Sequence, residues 1–312
     1  MSKELHSEAN GSIHIEPLSV HIGAQIHGVD LRSPLSEKQV VAIRDALLRW
    51  KVIFFRNQSL DHKAHVRFAR YFGEATPAHV IFGTNESYPE VYSVSKHRVA
   101  NSDHGEKIQK SWTGWHTDIT AAINPPFASI LRGDIVPPYG GDTQWTNLAL
   151  AYDQLSTAMK TFVESLNVVH AYGAGGVARS TEYHERINGS ALVAEHPLVT
   201  VHPETGEKIL NVSPDFVSHV VELKPVESIG LLDFLKEHAV RPEFTVRFKW
   251  TPGSIAFWDN RATSHLAPVD IFSTEFDRQF YRVTLVGEIP KGRDGRVSKL
   301  ISGQPIGPCL KN

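Results

Sequence analysis

Residues 244–250, FTVRFKW, alternate without a break: Phe244, Val246, Phe248 and Trp250 fall on one side, Thr245, Arg247 and Lys249 on the other. A side-chain period of two belongs to the β-strand, so the stretch is expected to be a strand with one dry face and one wet face. The turn Thr251-Pro252-Gly253 follows, and then a second apolar run, SIAFWDN (254–260). Similar runs are QFYRVTLVGEI (279–289), FASILRGDI (127–135), PLVTVH (197–202), KILNVS (208–213) and KVIFFR (51–56). SVHIGAQIHGVDL (19–31) reads as strand, turn, strand, punctuated by Gly23 and Gly28. Many short strands bounded by turns build a sandwich or a barrel.

Helices are expected outside that sheet structure. Ser36-Glu37-Lys38-Gln39 fits a capping box, and Val40, Ile43 and Leu47 follow at helical spacing. Asp61 caps a second helix, with Ala64, Phe68 and Phe72 on one face and Gly73 at its end. Two short helices are expected between Leu148 and Leu166, split near Ser156. A further helix spans Val226 to His238 and stops before Pro242. The fold class is thus mixed α/β and mainly β. AYGAGGVARSTEYHERINGS (171–190) lacks apolar periodicity and carries Gly173, Gly175 and Gly176, so a long loop is expected there, either a lid or a surface excursion.

The chain has 312 residues, 41% of them hydrophobic, enough for one large core or two smaller ones. A formal net charge of -2 gives no basic field, so neither nucleic acid nor an anionic membrane is an expected partner. Residues 1–12 are polar with no apolar leader segment, and no run of about 18 apolar residues is present. The expected location is cytoplasmic. The single cysteine, Cys309, rules out a disulfide within the chain, so any metal site must be built from histidines and carboxylates.

Such a site is suggested by WHTDIT (115–120). On a strand, His116 and Asp118 would point the same way and offer an imidazole nitrogen and a carboxylate oxygen to one ion. The spacing alone is weak, because His6/Glu8, His14/Glu16, His104/Glu106 and His202/Glu204 share it. Context separates them: His116 runs directly into an apolar segment, where an unpaired buried charge would be expensive. A third ligand should come from another strand, and His265 in WDNRATSH (258–265) is the candidate. The alternative is a histidine bonded to a backbone carbonyl. Two histidines and one carboxylate on one face leave three octahedral positions open, which suits non-haem Fe(II) working on O2 with a bidentate co-substrate. Zinc, the alternative, usually takes a fourth tetrahedral ligand or water.

The chain also resembles a known family. IGAQIHGVDL (22–31), KVIFFRNQ (51–58), WHTDIT, YGGDTQW (139–145), HPETGEKIL (202–210), WDNRATSH and YRVTLVGE (281–288) are similar, in order, to motifs of the taurine dioxygenase (TauD/TfdA-like) family of Fe(II)/2-oxoglutarate-dependent dioxygenases. Alkylsulfatase and aryloxyalkanoate dioxygenase relatives share them. The resemblance runs from about residue 15 to 290. It implies a double-stranded β-helix, a jelly-roll or cupin-like barrel with flanking helices. A single catalytic domain over residues 1–312 is expected, with the polar 1–12 and the basic, glycine-containing 291–312 as flexible tails and 171–195 as a lid loop. Fe(II) is implied at His116, Asp118 and His265. Thr143 and Arg278 are implied to grip the far carboxylate of 2-oxoglutarate, the co-substrate alongside O2, since an arginine fork matches a carboxylate. The loop between His265 and Arg278 is about two residues longer than in close relatives. Arg278 and Arg282 still keep a four-residue separation, which leaves Arg282 for an anionic substrate.

The implied reaction is hydroxylation of a small organic anion coupled to conversion of 2-oxoglutarate to succinate and CO2. Taurine-specific members are similar but carry a His and a Tyr after the second helix, and an Asn four residues before the metal His. Here AHVIF (78–82) keeps His79 but has Phe82, Trp112 replaces the Asn, and Ala121 stands where a Phe is expected in the sulfonate and sulfate enzymes. Losing polar partners disfavours a small zwitterion and favours a bulkier, partly apolar anion: an alkyl sulfate, a longer sulfonate or a carboxylic acid. Relatives commonly form homo-oligomers, dimers or tetramers. The rival functions are a zinc-dependent hydrolase using the same three ligands and a non-catalytic binding module on the same scaffold.

Overall fold

The computed structural model describes residues 13–78, 87–96, 114–172, 192–267 and 269–309. Its centre is a seven-stranded sheet ordered β1 (His14–Pro17), β2 (Ala24–His27), β3 (Val52–Phe55), β13 (Ile255–Asp259), β5 (Ala128–Ile135), β15 (Gln279–Leu285), β4 (Tyr92–Ser95). Only the β2–β3 pair is parallel. A three-stranded sheet, β12 (Thr245–Phe248), β6 (Thr143–Asn147), β14 (Thr263–Leu266), faces it. The packing explains the continuous apolar runs. In β3, Val52 and Phe54 enter a core shared with Trp145, Val246 and Phe248 of the smaller sheet. Ile53 and Phe55 enter the core on the opposite face. A strand buried on both sides has no polar side to display, so its alternation is invisible in sequence.

Two helices cover that second face. α1 (Glu37–Trp50) starts at Ser36, which forms the expected capping box with Gln39, and it buries Ile43 and Leu47. α2 (His62–Arg70) starts at Asp61, whose carboxylate accepts from the Ala64 N–H at 2.7 Å, and it buries Phe68. α3 (Leu148–Asp153), α4 (Thr157–Glu164) and α5 (Pro225–Ala239) pack around a second cluster that includes Leu198, Ile209 and Leu235. That cluster also draws on β9 (Val199–Val201), paired with β10 (Lys208–Leu210), and on the sheet β11 (Val217–Val220), β7 (Asn167–Ala171), β8 (Val193–Pro197), β16 (Lys299–Ser302). Among the described residues no helix is long and apolar enough to cross a membrane.

Several expectations change. Phe244 does not continue the alternating strand: it closes a 3-10 turn, Pro242–Phe244, and packs in the helical cluster, while Val246, Phe248 and Trp250 keep the period. The N-terminal hairpin pairs β1 with β2, so its first strand lies upstream of residue 19. The region after 290 is not a loose tail through residue 309. β16 pairs with β8, Ile306 is buried and exchanges hydrogen bonds with the Asn124 side chain, and the Cys309 N–H reaches the Ala75 carbonyl. The expected lid over 171–195 is strand at its ends, in β7 and β8, and residues 173–191 lie outside the described residues, as do 1–12.

Candidate active site

The three proposed ligands meet. His116 and His265 form an antiparallel bridge, each backbone N–H donating to the other's carbonyl at 2.9 and 2.7 Å. Their rings stand 4.1 Å apart. β14 holds His265 opposite Trp145 of β6, and the Trp258 ring lies 4.9 Å from its imidazole. Asp118 joins them by a turn, where a continuing strand was expected. Ile119 has φ +50°, a left-handed conformation that a β-branched residue adopts only under compulsion. Just ahead of it Thr117 is anchored: its N–H donates to the Ser213 hydroxyl and its hydroxyl donates to the Thr263 carbonyl. One donor atom from each of His116, Asp118 and His265 lies within 4.8 Å of the others.

Electrostatics set the protonation states. Burial alone would raise the Asp118 carboxyl. The Arg282 guanidinium, then the two imidazoles and the Ser129 hydroxyl, more than offset this and hold it well below the usual carboxylate range. One Asp118 oxygen accepts from Ser129 Oγ at 2.6 Å and the other from Arg282 Nη1. Burial, aided by His116 nearby, pushes His265 well below the ordinary histidine value, so its ring is neutral at pH 7. Its buried Nδ1 has no hydrogen-bond partner among the described residues. His116 Nδ1 lies 3.0 Å from the Gly114 carbonyl and donates to it, which turns the Nε2 lone pair outward. An ionised carboxylate oxygen and two imidazole nitrogens fit a divalent first-row metal.

Thr143 and Arg278, the expected co-substrate pair, share one cluster of buried side chains. Thr143 Oγ1 accepts from the buried Trp250 indole N–H at 3.0 Å, so its own hydrogen is left to donate elsewhere. Arg278 is buried, not the surface residue its charge alone would suggest. Its guanidinium stacks 3.8 Å from the Phe280 ring centroid and reaches the Gly141 carbonyl at 3.4 Å. Phe280 meets Trp250 edge-on at 4.6 Å, so one aromatic wall carries both Thr143 and Arg278. Gly141, at φ +66°, sits so close that a Cβ there would lie 3.1 Å from Arg278 Nε. Arg282, assigned to the substrate's anion, is paired with Asp118, and its buried Nε lacks a partner among the described residues.

His79, Phe82 and Trp112 lie outside the described residues. Of the competing His-x-acid pairs, His14 and Glu16 sit on the exposed strand β1, and His202 is bonded to Asp259. Ser129, Asn260, Trp250 and Gly141 were missed as site residues. Asn260 and Gly141 lie within motifs of the family resemblance, which is the signal that could have raised them. A cavity of about 760 Å³ opens behind the Asp118 turn, lined by Thr117, Thr120, Ile209, His202 and Arg261, and none of the three ligands borders it.

The sequence profile described as taurine catabolism dioxygenase TauD, TfdA family, matches residues 14–284. The chain belongs to the TauD/TfdA family. It is an α-ketoglutarate-dependent dioxygenase, an oxidoreductase. Within the family it is 37% identical over 296 residues to an α-ketoglutarate-dependent sulfate ester dioxygenase from Pseudomonas putida, covering 92% of this chain and 94% of that one. It is 36% identical over 296 residues to an alkylsulfatase from Acinetobacter baylyi, covering 92% and 89%. A solved taurine dioxygenase from Burkholderia xenovorans superposes with a TM-score of 0.82 at 55% identity, over 94% of this chain and 96% of that one. AAD-2 in complex with Mn(II) and N-oxalylglycine superposes at 0.72 with 26% identity, over 89% and 99%.

Proposed function

We propose that this TauD/TfdA-family dioxygenase uses Fe(II), held by His116, Asp118 and His265 in a double-stranded β-helix, to hydroxylate a small organic anion. A sulfate ester is the first choice. The observation that carries the reading is the trio itself, two imidazoles and an ionised carboxylate with one donor atom of each within 4.8 Å of the others. Iron in that position would supply O2 activation coupled to decarboxylation of 2-oxoglutarate. The overall balance is R–H plus 2-oxoglutarate plus O2 giving R–OH, succinate and CO2. Where the new hydroxyl lies on the carbon bearing a sulfate ester, the C–O bond breaks, leaving an aldehyde and hydrogen sulfate.

The chain's own residues bind, orient and exclude water. Arg278 takes the far carboxylate of 2-oxoglutarate in its fork, with the Thr143 hydrogen as a further donor. The stacked Phe280 ring keeps that fork in one plane. Arg282 holds the substrate's anion on the Asp118 side of the site. Trp145 and Trp258, both fully buried, close off water beneath His265.

A specific observation keeps a second substrate in play: the Burkholderia chain at 55% identity bears the name taurine dioxygenase. Phe82 and Trp112 argue against taurine, since both offer rings in place of hydrogen-bonding groups. The test is a panel of alkyl sulfates of increasing length, alkyl sulfonates, taurine and aryloxyalkanoic acids, scored by succinate formed per substrate consumed. One-to-one coupling with a medium-chain alkyl sulfate is expected. Coupling with taurine and none with sulfate esters would reverse the assignment.

A further inference from the structure

The Asp118 carboxylate ends a one-way chain of hydrogen bonds. The Trp258 indole N–H can only donate, and it donates to Asn260 Oδ1 at 2.8 Å. That fixes which end of the Asn260 amide is which, so Asn260 Nδ2 donates to Ser129 Oγ at 2.9 Å. With its oxygen accepting there, the Ser129 hydroxyl has one hydrogen to give, and it goes to Asp118 Oδ2 at 2.6 Å. All four side chains are buried. The sheet builds the chain without slack: Ser129 of β5 stands in register with Trp258 of β13 on one side and Thr284 of β15 on the other. Asn260, just past β13, is held by its own N–H to the Phe127 carbonyl at 2.8 Å.

We propose that Ser129 and Asn260 are positioning residues that restrict Asp118 to ligation through a single oxygen. The proposal rests on the assignment of His116, Asp118 and His265 as the metal site. A carboxylate can bind a metal through one oxygen or both. The reaction needs three open octahedral positions, two for the 2-oxo acid and one for O2. A two-oxygen carboxylate would take one of them. Oδ2 is held by Ser129 from within the sheet and Oδ1 by Arg282; only the Arg282 contact is one that the substrate's anion would compete for, which leaves Oδ1 as the ligand.

The test uses Mn(II) binding by the whole chain, followed by electron paramagnetic resonance with and without 2-oxoglutarate, so no turnover is needed. Ser129→Ala and the isosteric Asn260→Asp should each weaken Mn(II) binding about 10- to 100-fold, the usual consequence of losing a group that orients a metal ligand. Asn260→Asp acts by turning a donor into an acceptor that draws the Ser129 hydrogen away from Asp118. Both should also change the line shape of the Mn(II)–2-oxoglutarate complex. Ser129→Cys, which keeps a weaker donor, should fall between, and it carries the test if the other two do not fold. Thr284→Val removes the buried Thr76–Thr284 hydroxyl contact beside Ser129 without touching Asp118, so it should lower the melting temperature and leave Mn(II) affinity unchanged. Folded Ser129→Ala and Asn260→Asp proteins with wild-type affinity and line shape would overturn the proposal. A wild-type protein that binds no Mn(II) would instead overturn the site assignment beneath it.

Discussion

Gly141→Ala is expected to weaken 2-oxoglutarate binding, and its neighbour provides the control. Gly140 and Gly141 have φ of +78° and +66°, so an alanine at either costs about 1–2 kcal/mol of backbone strain. At a chain of this size that lowers the melting temperature by roughly 1.5–3 °C in both variants. The surroundings differ. A Cβ at 140 meets nothing nearer than Asp270 at 3.9 Å, whereas at 141 it comes within 3.1 Å of Arg278 Nε and 3.2 Å of Arg278 Cδ. The arginine must therefore give by a few tenths of an ångström against the Phe280 ring it stacks on. A misaligned fork forfeits a charge-assisted contact worth about 1.5–3 kcal/mol, or roughly 10- to 150-fold in affinity. Anaerobic titration of the Mn(II)-loaded proteins with 2-oxoglutarate by calorimetry gives the dissociation constants directly. Gly140→Ala should match wild type and Gly141→Ala should not. Adding Arg278→Ala to Gly141→Ala should cause little further loss. Equal affinities for the two single variants would refute the placement of Arg278 on the co-substrate.

Other outcomes follow from the same coordinates. Burial holds His65 to about 3 and His196 to about 4, against an ordinary value of 6.5, so both stay neutral in the folded chain while the unfolded chain takes up protons below pH 6.5. Their stabilisation is complete above pH 6.5 and is lost as pH falls towards those values, by about 4 kcal/mol in sum at pH 5. Urea midpoints measured from pH 7 to 5 should show this, and His196→Gln should flatten the slope. Phe248→Ala should cost about 3–5 kcal/mol by urea unfolding, because its ring is stacked on Phe54 at 4.0 Å, has Arg56 at 3.9 Å and is buried. Arg278→Ala should raise the 2-oxoglutarate requirement, whereas Arg282→Ala should mainly raise the KM of the anionic substrate; steady-state kinetics with the two exchanged would mean the register across residues 266–277 is wrong.

The helices were legible because their signals are local. Ser36, Asp61 and Ser156 each cap the helix they announce, within three residues. The central strands were legible as apolar runs. The short strands β7, β11, β14 and β16 were not, since VSHV, TSHL and their like carry no alternation and take shape only against partners far along the chain. The ordered path after residue 290 was hidden for the same reason: Ile306 is held by Asn124, 182 residues earlier. His116 and Asp118 were found through a strand argument that does not describe them, because the chain turns at Asp118 and Ile119 beside a Thr117 tied to Ser213 and Thr263. The Ser129 relay left no trace in sequence, being a product of register across three strands.

The claim at the centre of this account is that one ferrous ion binds at His116, Asp118 and His265 and is chelated there by 2-oxoglutarate. Anaerobic addition of Fe(II) and then 2-oxoglutarate to the whole chain should produce the weak visible charge-transfer absorption of that chelate, saturating at one iron per chain, and His265→Ala should abolish it while the protein stays folded. No absorption from wild type, together with tight binding of zinc, would point to the hydrolase and contradict the account.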